Sequence, residues 1–360
     1  MRIAMIYQNL PAFMYGDHET HGLGGSENGF LRTVEHLLKR GHEVHVYNRA
    51  DVPPTDYGAG LQWANLQFFD PNRRDYDVIY SLRHREVFEK AKVRAKLRVL
   101  FLADTESVGL GESVKAGNID LVMAVSHWQK EKIAREEHLP DDYWMVTSNG
   151  VEVAPLSLEK KVLGRCLFSA TPERGLSELL DIWPRIRAEV PTATLHVYSS
   201  FMGWGHTREE NEKMCEAIYA RMEMMKPLGV VNCRHGNAAQ IRTAQEEAEF
   251  YLYPSDFWET CCMSVLEAML AGALPVVTGR AGLLEKVLPG VTGEVVPAYG
   301  CGTRRYQDIF VEETVNLLAA SPTGFLETMR HNAYAFASQF SYTRLVPGWI
   351  QEWERRIRAK

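Results

Sequence analysis

The chain has no apolar run approaching the ~20 residues that a membrane span requires. Its first residues, MRIAMIYQNLPAF, are too short and too polar for a secretory leader and read as a buried strand. The expectation is a soluble cytoplasmic protein. Paired cysteines are missing as well: Cys166, Cys215, Cys233, Cys261, Cys262 and Cys301 form no CxxC unit and no metal-ligand spacing. That pattern fits free thiols in a reducing compartment and gives no reason to expect a metal. There is no excess of positive charge; 40 Lys and Arg stand against 46 Asp and Glu, a net charge of -6 that argues against a nucleic-acid partner. No internal repeat is visible. What remains is an ordinary globular composition, 46% hydrophobic and 24% charged, on 360 residues, a length that suggests two domains.

Strand and helix signals alternate along the chain. Short apolar runs at 2–7, 43–47, 76–80, 98–102 and 121–125 read as strands, and 24–39 reads as a helix ended by Gly41. A second series starts at 162–169. It continues with a helix over 176–188, a strand over 194–198, a helix over 209–225, and strands at 230–233 and 250–253 around a helix over 239–247. Alternation at this spacing predicts two parallel, doubly wound α/β sheets, with ligands at the carboxyl ends of the strands. The turn-rich VTSNGVEVAP (146–155) and the polar SLEKKVLG after it mark the linker, which divides the chain at about residue 155.

The most informative segment is YPSDFWETCCMSVLEAMLAGALPVV, residues 253–277, where Glu259 and Glu267 are separated by seven residues. A strand breaks at Pro254, a helical pattern starts from about Thr260 and stops at Gly272, and Val276–Val277 open the next strand. From Thr260 to Glu267 is nearly two turns at 3.6 residues per turn, so Glu267 is expected to point the same way as the helix start. Carboxylates accept hydrogen bonds from sugar hydroxyls. The N–H groups of a helix start, here Thr260, Cys261 and Cys262, hold phosphate. Acceptors at both ends and donors between them suit a nucleoside diphosphate sugar.

EAMLAGALPVV after the second glutamate resembles the EAMAAGxPVV of the retaining glycosyltransferases of family 4, whose donor-binding motif is an E-x7-E pair. The resemblance implies a GT-B fold, two Rossmann-like domains facing across a cleft. Residues 1–155 would form the acceptor-side domain and 156–339 the nucleotide-sugar-binding domain. The amphipathic tail at about 340–360, with Trp349 and Trp353, resembles the last helix of such proteins, which crosses back onto the first domain. GLGGSENGF (22–30) is similar to the family's GGxE loop, implying that Gly24 and Gly25 face the donor; His18 and His21 lie in the loop before it. SATPERGL resembles GRLxxEKG, with Arg174 in the position of the lysine that contacts the diphosphate and Ser169 in place of an upstream arginine. VNCRHGNAAQ matches a strand followed by an HG turn near the nucleobase, bringing in Arg234, His235 and Gly236. GRAGLLEKV resembles a GGxPE loop without its proline.

In VLFLADTESVG many members carry a histidine; here Ala103 and Asp104 follow the strand, and Asp104 is the candidate acceptor for the acceptor hydroxyl's hydrogen bond or a helix cap. His127 is expected to cap or pack near the linker. The basic stretch at 83–98 reads as a solvated helix face or, in the sharper reading, as a peripheral contact with anionic lipid at the inner face of a membrane. The resemblance thus implies transfer of a sugar from a UDP- or GDP-sugar to a hydroxyl of a glycan, lipid-linked or small-molecule acceptor, with retention and without a cofactor or bound metal. Glu259 would hold the sugar hydroxyls, Glu267 the ribose diol, and Arg174 the leaving diphosphate. Two alternatives use the same fold: a nucleotide-sugar-binding protein without turnover, and an epimerase or phosphorylase.

Overall fold

A computed structural model describes residues 1–20, 23–70, 72, 76–89, 93–202, 205–321 and 324–360. The chain divides into two compact units. One comprises residues 1–18, 25–150 and 340–360; the other comprises 19–24 and 151–339.

The first unit is built on eight strands: β1 (Arg2–Ile6), β2 (Glu43–Asn48), β3 (Thr55–Gly58), β4 (Leu61–Asn65), β5 (Tyr76–Leu82), β6 (Ala95–Phe101), β7 (Leu121–Ala124) and β8 (Trp144–Val146). They lie in the order β3-β4-β2-β1-β5-β6-β7-β8, and all pairings are parallel except that of the edge strand β3 with β4. In β1, Ile3 to Ile6 are wholly buried. A strand covered on both faces needs the unbroken apolar run that the sequence supplies. Strand order reverses between β1 and β5, which pair with Ile3 beside Val78.

The second unit has six parallel strands: β9 (Arg165–Ser169), β10 (Thr194–Tyr198), β11 (Val230–Arg234), β12 (Phe250–Tyr253), β13 (Leu274–Gly279) and β14 (Glu294–Pro297). Their order is β11-β10-β9-β12-β13-β14. This is the doubly wound order whose reversal lies between β9 and β12.

The last helix, Tyr342–Arg358, belongs to the first unit. Trp349 packs on Phe101 and donates to Thr147 Oγ1 at 2.6 Å, Trp353 packs on Tyr80, and Tyr342 stacks on His36. The tyrosine ring also fills the space beside Gly150, where a Cβ would lie 2.3 Å from it.

Several local expectations need correction. Between β2 and β5, where the sequence reading placed no strand, β3 and β4 form a short hairpin whose turn holds Ala59 and Gly60 in left-handed conformations. The basic stretch 83–98 is not one solvated helix: it contains a short helix at Glu86–Glu89 and then enters β6, which is buried from Leu97 apart from the half-buried Arg98. Part of that stretch lies outside the described residues. Helices at Arg304–Ala320 and Leu326–Ala337 also complete the second unit. Among the described residues, no helix is long and apolar enough to cross a membrane.

Candidate functional site

In the second unit, the loops leaving β9 and β12 flank the point where strand order reverses, the place where open α/β sheets bind ligands. The first loop holds Arg174 at the end of a short turn, Pro172–Arg174, closed by Gly175 at φ +99°. A Cβ on Gly175 would fall 2.5 Å from the carbonyl oxygen of Pro254, so only glycine lets the two loops meet this closely. Arg174 Nη1 then donates to Glu259 Oε1 at 3.1 Å, and the Tyr253 hydroxyl donates to the same oxygen at 2.6 Å. Arg174 Nε lies 3.3 Å from Glu173 Oε1, and its guanidinium sits 3.3 Å above the centre of the Phe257 ring. Burial raises the Glu259 carboxyl above its ordinary range, while Arg174 and the Tyr253 hydroxyl pull it part of the way back. The arrangement fixes one carboxylate and one guanidinium as neighbours at a strand-end loop pair, able to meet hydroxyls and phosphate respectively.

Downstream of Glu259 the expected helix begins later. It runs Met263–Leu270 and is preceded by Cys262 in a left-handed conformation (φ 58°), with no side-chain cap hydrogen bond. Thr260, Cys261 and Cys262 are therefore buried loop residues, not the helix's first turn. A non-glycine residue at positive φ cannot continue a right-handed helix, which is why the start is displaced by three residues. The two-turn argument that points Glu267 the same way as a helix start at Thr260 accordingly does not hold. Glu267 is the fifth residue of the helix, half-buried, with Gln245 and Arg242 of the helix Ala238–Glu247 around it. Burial pushes its carboxyl up to about 7; Gln245 and Arg242 oppose that rise. The Cys262 thiol is pushed up by burial as well, and is held as thiol rather than thiolate.

Arg234 ends the edge strand β11, two strands from the reversal point, and His235 and Gly236 follow it. Arg234, at φ 58°, pairs with Glu212 and lies 4.9 Å from the centre of the Tyr219 ring. His235 Nδ1 is 2.9 Å from Ser200 Oγ, and burial lowers its pKa. Gly236 sits where a Cβ would be 2.7 Å from the Tyr198 ring.

In the first unit the equivalent loops follow β1 and β5. Gly25 is the first residue of the helix Gly25–Leu38, with Gly24 just before it. Two residues on, Glu27 is buried and receives a hydrogen bond from the hydroxyl of Tyr7, which directly follows β1. Burial raises both groups, Glu27 against the opposing effect of that hydrogen bond. Arg83, directly after β5, has φ 72°; its Nη2 donates to Ser26 Oγ at 2.6 Å and its Nε lies 3.5 Å from Asp104 Oδ2. Asp104 is about half exposed and ion-paired rather than capping a helix. No histidine stands at the end of β6, where Ala103 and Asp104 follow; His84, just past the end of β5, has its Nε2 2.5 Å from Asn9 Oδ1. His18 is buried against Glu35 at 3.0 Å, His127 is an exposed first-turn residue of the helix His127–Glu137, and His21 lies outside the described residues.

Among the described residues, four of the six non-glycine residues at positive φ, Arg83, Arg234, Cys262 and Ala281, lie at or beyond the carboxyl ends of β5, β11, β12 and β13. Such conformations cost on the order of 1–3 kcal/mol and concentrate at functional loops. Sequence reading passed over Tyr7, Ser26, Glu27, Arg83 and Arg280. Arg83 and Arg280 each directly follow a strand, a signal that carries weight only once strand order is known.

Two doubly wound units with these connections define the GT-B fold. The second carries a match to the family model of glycosyl transferases group 1 over residues 162–318. Solved structures match the whole chain at low identity: sucrose-phosphate synthase from Thermosynechococcus elongatus (TM-score 0.73, 12% identity, 100% of both chains) and a glycosyltransferase from Rickettsia africae (0.74, 11%, 100% of this chain and 99% of that one). A third is HepE of Anabaena in complex with UDP and glucose (0.68, 17%, 99% of this chain and 100% of that one). No curated protein sequence matches. The family match thus falls within the second unit, and these neighbours share the fold of the whole chain.

Proposed function

We propose that the protein transfers a sugar from a nucleoside diphosphate sugar, a UDP- or GDP-sugar, to an acceptor hydroxyl with retention of anomeric configuration, in the manner of family 4. The observation that carries this reading is the Arg174–Glu259 pair at the strand reversal of the unit that matches the family model. In the proposed step the bond from the anomeric carbon to the diphosphate oxygen breaks. The acceptor oxygen bonds to the same face of that carbon, and its proton passes to the departing diphosphate. Such a step needs stabilisation of developing negative charge more than a strong base. Arg174 would supply it, Glu259 would hold the sugar hydroxyls, Glu267 the ribose diol, and Asp104 the acceptor hydroxyl.

The test is a screen of UDP-, GDP-, ADP- and dTDP-sugars by thermal shift, followed by turnover with the donors that bind. At ~100 times its dissociation constant, a true ligand adds about 2.7 kcal/mol of stability. Retention is then read from the anomeric proton coupling of donor and product, and full activity in the presence of a chelator is the expectation. Binding without transfer to any acceptor would leave a nucleotide-sugar-binding protein; inversion of the anomeric centre would overturn the family 4 mechanism.

A further inference from the structure

The loop after β12 carries two consecutive, partly exposed aromatic residues, and each has an arginine stacked on it. Arg174 lies over Phe257, and Arg280, from the loop after β13, lies 5.0 Å from the centre of the Trp258 ring. The two loops are latched together. Gly282 N donates to the Glu259 carbonyl at 2.8 Å, and a Cβ on Gly282 would lie 2.2 Å from the Thr260 carbonyl oxygen. Between Arg280 and that latch, Ala281 is held at φ 52°. The turn that aims Arg280 at this loop is thus over-determined by its surroundings.

The loop pair is short of positive charge. Arg174 faces two carboxylates, Glu259 at 3.1 Å and Glu173 at 3.3 Å. That part of the site is net negative when both acids are ionised, and it would receive a diphosphate poorly. Arg280, over the ring adjacent to Phe257, is a further cation on these loops. Its bonds to the protein both use Nη1, to Asp256 Oδ1 at 2.5 Å and to the Asp256 carbonyl at 2.8 Å. The side chain of Asp256 is largely exposed, at 68%. The Arg280 side chain is 20% exposed; an ion pair whose carboxylate lies in solvent is worth little and is readily exchanged, whereas a guanidinium bound to phosphate gains charge-assisted, bidentate bonds. Stacking on Trp258 holds the guanidinium plane while leaving Nε and Nη2 for such bonds.

We propose that Arg280 is a second phosphate-binding cation of the donor site, parked on Asp256 in the empty protein and transferred to the diphosphate when a nucleotide sugar binds. This rests on the donor reading proposed above. The experiment is titration calorimetry of the wild type, Arg280→Ala, Arg280→Lys and Asp256→Asn with UDP, GDP and ADP and with the corresponding nucleosides, with thermal unfolding as the folding control. For the nucleoside diphosphate that binds the wild type, Arg280→Ala is expected to weaken binding at least tenfold and leave nucleoside binding unchanged. Arg280→Lys should recover part of the loss, and Asp256→Asn should bind at least as tightly as the wild type. Equal diphosphate affinity in folded wild type and Arg280→Ala would overturn the assignment and leave the donor reading standing. Equal loss for the nucleoside would make Arg280 a structural residue. Failure of the wild type to bind any nucleoside diphosphate would overturn the donor reading, and this assignment with it.

Discussion

Arg174 reaches from the loop after β9 to the loop after β12 and places its Nη1 3.1 Å from Oε1 of Glu259. The two residues that would meet different parts of a donor are thus each other's partners in the ligand-free protein. Arg174 also opposes the upward effect of burial on Glu259. Arg174→Ala should therefore do two things. It should lower kcat strongly, and it should move the acidic limb of the pH–rate profile to higher pH, because Glu259 then ionises less readily. A change confined to KM, with an unmoved limb, would mean that Arg174 acts in ground-state binding alone.

Glu259→Gln keeps the shape and removes the charge. Nucleoside diphosphate affinity should stay within about twofold, while turnover with the sugar donor should fall by tenfold or more, a loss of ~1.4 kcal/mol in transition-state stabilisation. Calorimetry and turnover measured on the same preparation check this. Equal loss in both would place Glu259 at the nucleotide or in the fold.

Glu267 has the opposite balance between stability and binding. Its carboxyl is raised from 4.5 to about 7 by burial. A raised acid stabilises the fold fully below its unfolded pKa, and this contribution is lost as pH rises through about 7. The full shift is equivalent to about 3 kcal/mol, and partial exposure of the side chain brings the expectation to about 1–3 kcal/mol. Glu267→Gln should raise the Tm at pH 8 relative to the wild type and change it little at pH 5. If the ionised carboxylate accepts from the ribose diol, the same variant should weaken nucleoside diphosphate binding by about 1.5–3 kcal/mol, and wild-type affinity should rise with pH through neutrality. A Tm difference independent of pH would remove the titration of Glu267 from the account.

Arg330 and Glu249 form a buried pair at the opposite end of the second sheet. Arg330 donates to the carbonyls of Glu249 and Gly272, and Glu249 also accepts from Gly164 N and Ser321 Oγ. Removing one partner leaves the other charge buried, so Arg330→Ala should cost about 3–5 kcal/mol in denaturant unfolding. Nucleotide affinity of the protein that remains folded should be unaffected, since the pair lies at the amino ends of the strands.

Most of the fold is readable from local pattern. The strand at 250–253 is buried on both faces and reads as an apolar run, whereas that at 194–198 buries alternate residues and reads as an alternation. The site is only half legible. Glu259, Arg174 and Glu267 stand in motifs, but the partnership of Glu259 with Arg174 spans 85 residues and depends on strand order. The late start of the helix after Glu259 was hidden because nothing in the sequence Thr260-Cys261-Cys262 announces a left-handed residue; glycine or asparagine would have done so. Arg83 disappears into a basic stretch that reads as surface. Only the crossover that sets β5 beside β1 brings it to Ser26 and Asp104.

The helix Tyr342–Arg358 closes the unit that the chain began, with the whole of residues 151–339 in between. In synthesis, the first unit started is therefore the last one finished. Tyr80 and Phe101 must wait for Trp353 and Trp349 while about 190 further residues are made. At ~5–20 residues per second that interval is on the order of 10–40 s. Over that time an almost complete parallel sheet stands with part of one face bare, so the nascent chain is exposed to misassembly just when the second unit is folding.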